Sequence, residues 1–218
     1  MPSKEYKNLK KRLNEIKRHF IPKRSATGEY TDRQYDRTRA VRLLVHAEIE
    51  SYLENWAVCI LTNAQAKWRS QRKPSSVLMC LLSFSECSFK GIPETINSLK
   101  SQHNTPKKDI LYQDDIDERV KQVVQRHYHA ITNDNHGIKE KNLLKMFLPI
   151  GLESKEFHQS QALIFDLDSY GVNRGIVAHA SAASQQPIDP VTEVQTIDTL
   201  LNNLKVFDEA LSRLNDSI

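Results

Sequence analysis

The longest unbroken pattern in the sequence lies between Asp32 and Arg69, a stretch without glycine or proline. Its apolar residues recur in steps of three and four, which is the period of an α-helix with one buried face. These residues are Val41, Leu44, Val45, Ile49, Tyr52, Leu53, Trp56, Ile60 and Leu61. One very long helix, ended near Pro74, therefore predicts an all-α protein.

The other apolar stretches are shorter, and most of them also read as helices. The chain of 218 residues has only six glycines and eight prolines, and its 7% aromatic content argues against a β-sandwich or barrel. Residues 76–87 fit a helix or a strand by periodicity, and their helical surroundings favour a helix. The remaining predicted helices are 4–20, 91–101, 114–131, 138–148, 154–170, 173–183 and 191–214. We therefore predict a helical bundle.

The basic residues are concentrated at the N-terminus. Residues 4–24 contain nine lysines and arginines against two glutamates, whereas the whole chain has a formal net charge of only +4. We divide the chain into a basic N-terminal helical arm, residues 1–31, and a helical domain, residues 32–218. The arm could meet a phosphate backbone or an acidic partner. It could equally be a solvated amphipathic helix with Leu9, Leu13, Ile16 and Phe20 on its apolar side.

Composition gives no sign of a membrane, metal or cofactor site. The three cysteines, Cys59, Cys80 and Cys87, form no CxxC pair, which predicts buried free thiols in a reducing compartment. The absence of an N-terminal apolar segment and of any run of about 18 apolar residues predicts a cytoplasmic protein with no membrane partner. His127, His129 and His136 are expected at the surface rather than around a metal. We expect no metal and no cofactor.

A line of small residues marks the segment from 171 to 183. On a helical wheel, Arg174 and His179 flank this line on opposite sides. Val172 and Ile176 fall on a separate apolar face that can enter the core. Glycine inside a helix costs about 1 kcal/mol relative to alanine, so its presence here predicts close approach of a second helix or a substrate. The small residues are Gly171, Gly175, Ala178 and Ala182.

A second interpretation of the same segment remains open. Gly171 could be the residue that ends the preceding helix, and Asn173 could be the N-cap of the next one. The line of small residues would then be partly accidental, and His179 would be structural.

The stretch Arg174-Gly-Ile-Val-Ala-His179 resembles the Arg-x4-6-His motif of the HEPN superfamily. Residues 39–54 resemble the long first helix of that superfamily, and residues 142–152 resemble the segment that often precedes the motif helix. The chain looks most like the RiboL-PSP type of HEPN domain, over roughly residues 36–214. The resemblance implies a HEPN-type helical bundle.

The resemblance also implies a function. It indicates a metal-independent endoribonuclease that acts as a homodimer on an RNA substrate, in a phage-defence or toxin-type system. A regulatory or inhibitory protein is a possible further partner. By this resemblance, Arg174 and His179 are the active-site pair.

The two residue types suit RNA cleavage by attack of the 2′-OH on the adjacent phosphate. Histidine, with a reference pKa of about 6.5, can donate or accept a proton near neutral pH. Arginine stays charged and presents a planar fork to phosphate oxygens. The expected products are a 2′,3′-cyclic phosphate and a 5′-OH end.

The sequence departs from the family pattern at two positions. Many active members have a polar residue after the arginine, where this chain has Gly175, and toxin-type members often have a tyrosine where this chain has Ser181. Asn173 could supply the missing polar group. The alternative function is therefore a catalytically silent HEPN module that binds a protein or RNA.

A line of polar residues along the long helix offers a supporting residue. Arg42, His46, Glu50 and Glu54 follow one another at steps of four. Glu50 could orient Arg174 or His179 across the core. Alternatively, the four residues could pair within the helix on a solvated face.

Overall fold

The computed structural model describes residues 1–85, 116–179 and 186–218. Within these ranges all regular structure is helical, which confirms the predicted all-α class. The predicted helix 91–101 and residues 180–183 lie outside the described residues. The helices are α1 (Lys4–Phe20), α2 (Asp32–Gln71), α3 (Ser76–Phe84), α4 (Ile116–Thr132), α5 (Glu140–Phe147), α6 (Ser154–Gln159), α7 (Gln161–His179) and α8 (Pro190–Asp216).

The central helix of the bundle is α2. Its 40 residues give it a length of about 60 Å. It begins after Thr31, whose backbone N–H donates to Oε1 of Gln34 at 2.8 Å. It ends at Arg72, which has the left-handed conformation, with φ at 58°. Most of the apolar residues predicted to face inward on α2 are buried, so every turn of its middle portion contributes to the core.

Helix α1 packs along α2 through a buried apolar face that consists of Tyr6, Leu9, Leu13 and Ile16. Phe20, predicted on the same face, is exposed. Two basic residues of α1 form ion pairs with other helices: Arg12 Nε lies 2.8 Å from Glu48 of α2, and Lys17 Nζ lies 2.5 Å from Asp198 of α8. The chain's predicted division at residue 31 stays a prediction.

A fully buried carboxylate, Asp208 of α8, joins three parts of the chain. It accepts hydrogen bonds from the backbone N–H and the hydroxyl of Ser3, at 2.8 and 2.5 Å. It also accepts from the Tyr52 hydroxyl at 2.8 Å and from Trp56 Nε1 at 3.2 Å, both on α2. Because Ser3 is also the N-cap of α1, Asp208 fixes α1 and α2 to α8. We call these four residues the Asp208 cluster.

Helix α7 runs without interruption from Gln161 to His179. The break between two helices comes earlier than predicted, at Ser160. The Ser160 N–H donates to the carbonyl of Glu156, and the Ser160 carbonyl accepts from the Ile164 N–H. The interpretation of Gly171 as the end of one helix, and of Asn173 as the cap of the next, is therefore wrong.

Two further expectations concern the cysteines and membranes. Cys59 is exposed and Cys80 is half-buried, so the predicted burial of Cys59 is wrong, while Cys87 lies outside the described residues. In the parts of the chain that the structure describes, every helix is too short or too polar to cross a bilayer.

Candidate functional site

The buried face of α7 leads directly to Arg174. Leu163, Leu167 and Tyr170 are buried along one side of this helix, and Arg174 follows Tyr170 by four residues on the same side. Val172 and Ile176, predicted to enter the core, are instead 50% and 53% exposed. Compared with the prediction, α7 is rotated so that its Tyr170 side faces the core, where the Tyr170 hydroxyl has a buried partner. The apolar pattern of residues 172–183 did not indicate this orientation.

That partner is Glu193 of α8, which is fully buried. Its carboxylate accepts a hydrogen bond from Tyr170 at 2.9 Å and is bound by the guanidinium fork of Arg42 from α2. Arg42 also lies over the Tyr170 ring, 5.8 Å from its centroid. These three residues, the Glu193 cluster, bring α2, α7 and α8 together one helical turn before Arg174.

The polar line on α2 lies against other parts of the chain rather than facing solvent. The side chains of Arg42, His46 and Glu50 are only 16%, 4% and 20% exposed. Glu54 accepts a hydrogen bond from Asn135 Nδ2 at 2.7 Å. The interpretation of these residues as a solvated face is therefore wrong, although His46 and Glu50 do lie near each other, with Nδ1 3.6 Å from Oε2.

Arg174 acts electrostatically on both His46 and Glu50. Burial, and next the charge of Arg174, lower the pKa of His46 to about 4. Burial, and next the charge of Glu54, raise the pKa of Glu50, while Arg174 and His136 act against this rise. The structure thus brings together two predicted site residues, Arg174 and Glu50, and adds His46, which is uncharged at neutral pH.

Two buried atoms at this place have no hydrogen-bond partner among the described residues: Nδ1 of His46 and Nε of Arg174. A buried polar atom left unpaired costs about 1–3 kcal/mol. Such atoms are rare in folded proteins, and titratable groups with shifted pKa values cluster at functional sites. The contact between α2 and α7 at Arg174 is therefore the candidate functional site.

The lowered pKa of His46 predicts a pH-dependent stability. The unfolded chain binds a proton at this histidine below pH 6.5, whereas the folded chain binds it only near pH 4, so stability falls as pH drops between these values. Allowing for solvent screening, we expect about 1–2 kcal/mol to be lost between pH 7 and pH 5. Urea unfolding at both pH values should show a larger loss for the wild type than for His46→Asn. Equal losses would contradict the shift.

His179 lies apart from this contact. It is the exposed last residue of α7, and its position five residues after Arg174 rotates it by about 140° around the helix. Three exposed apolar residues share its side of α7 at steps of seven, four and three. They are Phe165, which is 72% exposed, Val172 and Ile176. We call Phe165, Val172, Ile176 and His179 the outer face of α7.

The predicted line of small residues is divided between two environments. A Cβ atom placed on Gly171 would lie 3.2 Å from Cγ of Lys139, so this glycine is already covered by the same chain. A Cβ atom on Gly175 would meet nothing within 4 Å. Ala182 lies outside the described residues. Of the two glycines, Gly175 is thus the one that leaves room for close approach by a second helix or a substrate.

Gly175→Ala is expected to stabilise the isolated chain by about 0.5–1 kcal/mol, because alanine favours the helix and the added methyl group meets open space. Thermal and urea unfolding below the concentration at which chains associate would measure this gain. Gly171→Ala is the matched control, where displacement of Lys139 should reduce or reverse the gain. A loss of stability at Gly175 would show that the surface is already occupied.

Asn173 is exposed and lines a cavity of about 560 Å³ rather than the Arg174 contact. The cavity lies between α7, Arg42 and the segment 186–192 that leads into α8. Its volume is in the range of small-molecule sites. The role of Asn173 as a substitute for a polar residue at position 175 stays a prediction.

The three histidines near the turn at 133–137 are in separate environments. His127 is buried, so the expected surface position is wrong for this residue, and its Nε2 lies 3.1 Å from the carbonyl oxygen of Met146. His129 lies 3.3 Å from the side chain of Asn133 at the surface. Among residues 1–85, 116–179 and 186–218, no group of three metal-ligating side chains is gathered.

Comparison with known proteins identifies the fold. A family model described as RiboL-PSP-HEPN matches residues 7–213, which is nearly the whole chain and includes most of α1. The chain therefore belongs to the RiboL-PSP-HEPN family, which confirms the resemblance and the HEPN-type bundle. Family membership indicates a nuclease- or RNA-related role. A search of curated proteins and a search of solved structures each found no match.

Proposed function

We propose that this protein is a metal-independent endoribonuclease with its active site at a homodimer cleft. The observation that carries the proposal is the half-buried Arg174 of α7, whose charge acts on His46 and Glu50 of α2. The same helix α7 also carries His179. A role in phage defence or as a toxin is expected from the resemblance alone.

The proposed chemistry uses Arg174 and His179 directly. The guanidinium of Arg174 binds the phosphate oxygens and stabilises the negative charge that grows when the 2′-OH attacks. His179, exposed at the end of α7, transfers a proton to or from the reacting oxygens. Glu50 holds the guanidinium by opposite charge, and the cavity beside Asn173 accommodates a nucleotide.

A second copy of the chain is proposed because one chain supplies a single Arg174–His179 pair, whereas two-fold pairing supplies two. The outer face of α7 offers an apolar surface for that copy, with His179 at its end. Contact between two such faces would bring the histidines of both chains into one cleft, next to the open surface at Gly175. This supports a two-fold dimer rather than a monomeric enzyme.

The proposal is tested by incubating the purified protein with mixed RNA in the presence of EDTA. Cleavage is expected, with 2′,3′-cyclic phosphate ends, and Arg174→Ala and His179→Ala should each lower the rate by at least about 100-fold. Arg33→Ala and His158→Ala change exposed residues of the same types and should have no effect. Cleavage that needs a metal, or that persists in both site variants, would contradict the proposal.

The dimer is tested separately with Phe165→Ser. We expect this variant to dissociate in sedimentation and to lose cleavage, because it removes the most exposed apolar side chain of the outer face. Phe84→Ser, at another exposed phenylalanine, is the control. A monomeric wild-type protein with full activity would refute the dimer.

The alternative function, a catalytically silent module that binds a protein or RNA, is favoured by one observation. Nε of Arg174 is buried, and Gly175 adds no polar group beside it. An intact dimer that cleaves no RNA, with or without EDTA, would decide for this alternative.

A further inference from the structure

The positive charge of the protein is concentrated on α1 and the four residues that follow it. Residues 4–24 carry a net charge of +7, from nine lysines and arginines and two glutamates, whereas the whole chain carries +4. All other residues together therefore carry a net charge of −3. The proposed chemistry gives this concentrated charge no part, because Arg174 and His179 lie on α7.

Four of these basic residues form a single line along α1. Lys4, Lys7, Lys11 and Arg18 are all exposed. Steps of three, four and seven residues place them within about 60° of one another around the helix, on the side opposite its buried apolar face. The line is about 21 Å long. We call these four residues the basic face of α1.

The basic face is not neutralised by the rest of the described chain. Two basic residues at its edges, Arg12 and Lys17, pair with Glu48 of α2 and Asp198 of α8. Within residues 1–85, 116–179 and 186–218, no carboxylate forms an ion pair with a member of the basic face itself. Like charges three and four residues apart on a helix repel each other, so an anionic partner would relieve a cost that the isolated chain bears.

The surroundings of the basic face favour a phosphate backbone over a membrane or a protein. The apolar side of α1 is buried in the bundle, so it is not available for insertion into a lipid surface. The exposed residues of α1 are polar except for Phe20, which lies on the opposite side, so the face lacks the apolar anchors of most protein interfaces. Lysines and arginines without such anchors are typical of contacts to nucleic-acid phosphates.

The packing of α1 relates the basic face to the candidate site. The residue that caps the start of α1 is bound to Asp208 of α8, whereas Lys17 in its last turn pairs with Asp198 of the same helix. Glu193, whose cluster lies one turn before Arg174, comes five residues before Asp198. A strand that follows the basic face towards the end of α1 is therefore directed towards the end of the bundle that holds the Glu193 cluster.

We propose that the basic face of α1 binds the phosphate backbone of RNA, as a docking surface separate from the Arg174 contact. The choice of RNA rests on the proposed nuclease function. A line of four charges binds a strand whatever its base sequence, because contacts to phosphates carry no sequence information. Docking at α1 raises the effective concentration of RNA at the candidate site.

The test is the binding of a fluorescent, single-stranded 2′-O-methyl RNA, which lacks the attacking hydroxyl, to the full chain over a range of salt concentrations. The α1 double variant combines Lys7→Gln with Lys11→Gln, and we expect its affinity at about 0.1 M salt to fall by about 10- to 25-fold. The slope of log affinity against log salt concentration should become shallower by about 1.4, since each contact to a single strand contributes about 0.7.

The matched control is the α5 double variant, which combines Lys141→Gln with Lys145→Gln. It removes two exposed lysines with the same spacing from another helix and should leave both the affinity and the salt slope unchanged. Urea unfolding checks that both variants fold. The α1 double variant should be at least as stable as the wild type, because repulsion within the basic face is reduced.

Cleavage kinetics separate docking from chemistry. The α1 double variant should raise the KM for a cleavable RNA by a factor similar to its loss of affinity, with little change in kcat. The reason is that it removes binding that is equally strong in the ground state and the transition state. A fall in kcat with an unchanged KM would contradict a docking role.

The outcomes distinguish the docking surface from the proposed function. Unchanged RNA affinity in the α1 double variant, or equal losses in both double variants, overturns the docking surface. Poly-glutamate is a second probe: if the α1 double variant loses binding to poly-glutamate but not to RNA, the face serves an acidic protein and the proposal is wrong. A wild type that binds RNA through the basic face but cleaves none contradicts the nuclease function alone.

Discussion

Asp208→Ala is expected to destabilise the protein by about 3–5 kcal/mol, among the largest effects of any single substitution in the chain. Asp208 is fully buried and accepts four hydrogen bonds, from Ser3, Tyr52 and Trp56. Removing the carboxylate leaves these donors without an acceptor in a place that water reaches poorly. The free energy of unfolding, measured in urea, would report the loss.

The control for Asp208 is Asp198→Ala, on the same helix. Asp198 pairs with Lys17 of α1, but its side chain is 52% exposed, so its loss should change stability by no more than about 0.5 kcal/mol. Hydrogen exchange should also show α1 opening more readily in the Asp208 variant. If the two variants lost equal stability, the Asp208 cluster would not be what fixes α1.

Glu193→Ala is the second large effect, with an expected loss of about 3–5 kcal/mol. The substitution leaves the Arg42 guanidinium without its buried counter-charge and the Tyr170 hydroxyl without its acceptor. Because this cluster lies one turn from Arg174, we expect RNA cleavage to fall as well. Urea unfolding and the cleavage rate measure the two effects.

A double-mutant cycle separates the charge interaction between Arg42 and Glu193 from the packing of their side chains. Arg42→Met combined with Glu193→Leu replaces both charges by apolar groups, and this double variant should recover much of the stability lost by Glu193→Ala. Glu153→Gln, in an exposed pair with Lys155, should have almost no effect. Strictly additive losses at Arg42 and Glu193 would show that the two residues do not depend on each other.

Periodicity predicted the helices well where burial alone decides the structure. The bounds of α1 agree with the prediction, and those of α2 differ by only two residues at one end, because long apolar faces leave little freedom of register. In α7, periodicity predicted the wrong buried face. There the exposed outer face is as apolar as a core face, and Tyr170 turns the helix towards Glu193, which lies 23 residues further along the chain.

The candidate site was predictable only where a local sequence pattern marks its residues. Arg174, His179 and Glu50 are recognisable from a local motif and from spacing within one helix. The Glu193 cluster depends on residues from three helices, and no local pattern marks a glutamate that will be fully buried. His46 lay in the same spacing as Glu50, but its burial became evident only once α7 was packed against α2.

Helix α2 contributes to two buried polar clusters, and its residues in them occupy one short stretch of sequence. Arg42 binds Glu193, whereas Tyr52 and Trp56 donate to Asp208 at a second position along the same partner helix, α8. One residue inserted or deleted between positions 46 and 52 would rotate one set by about 100° relative to the other. Substitutions in this stretch keep the two clusters in register, whereas a change in its length does not, so we expect related chains to share its length more strictly than its amino-acid identities.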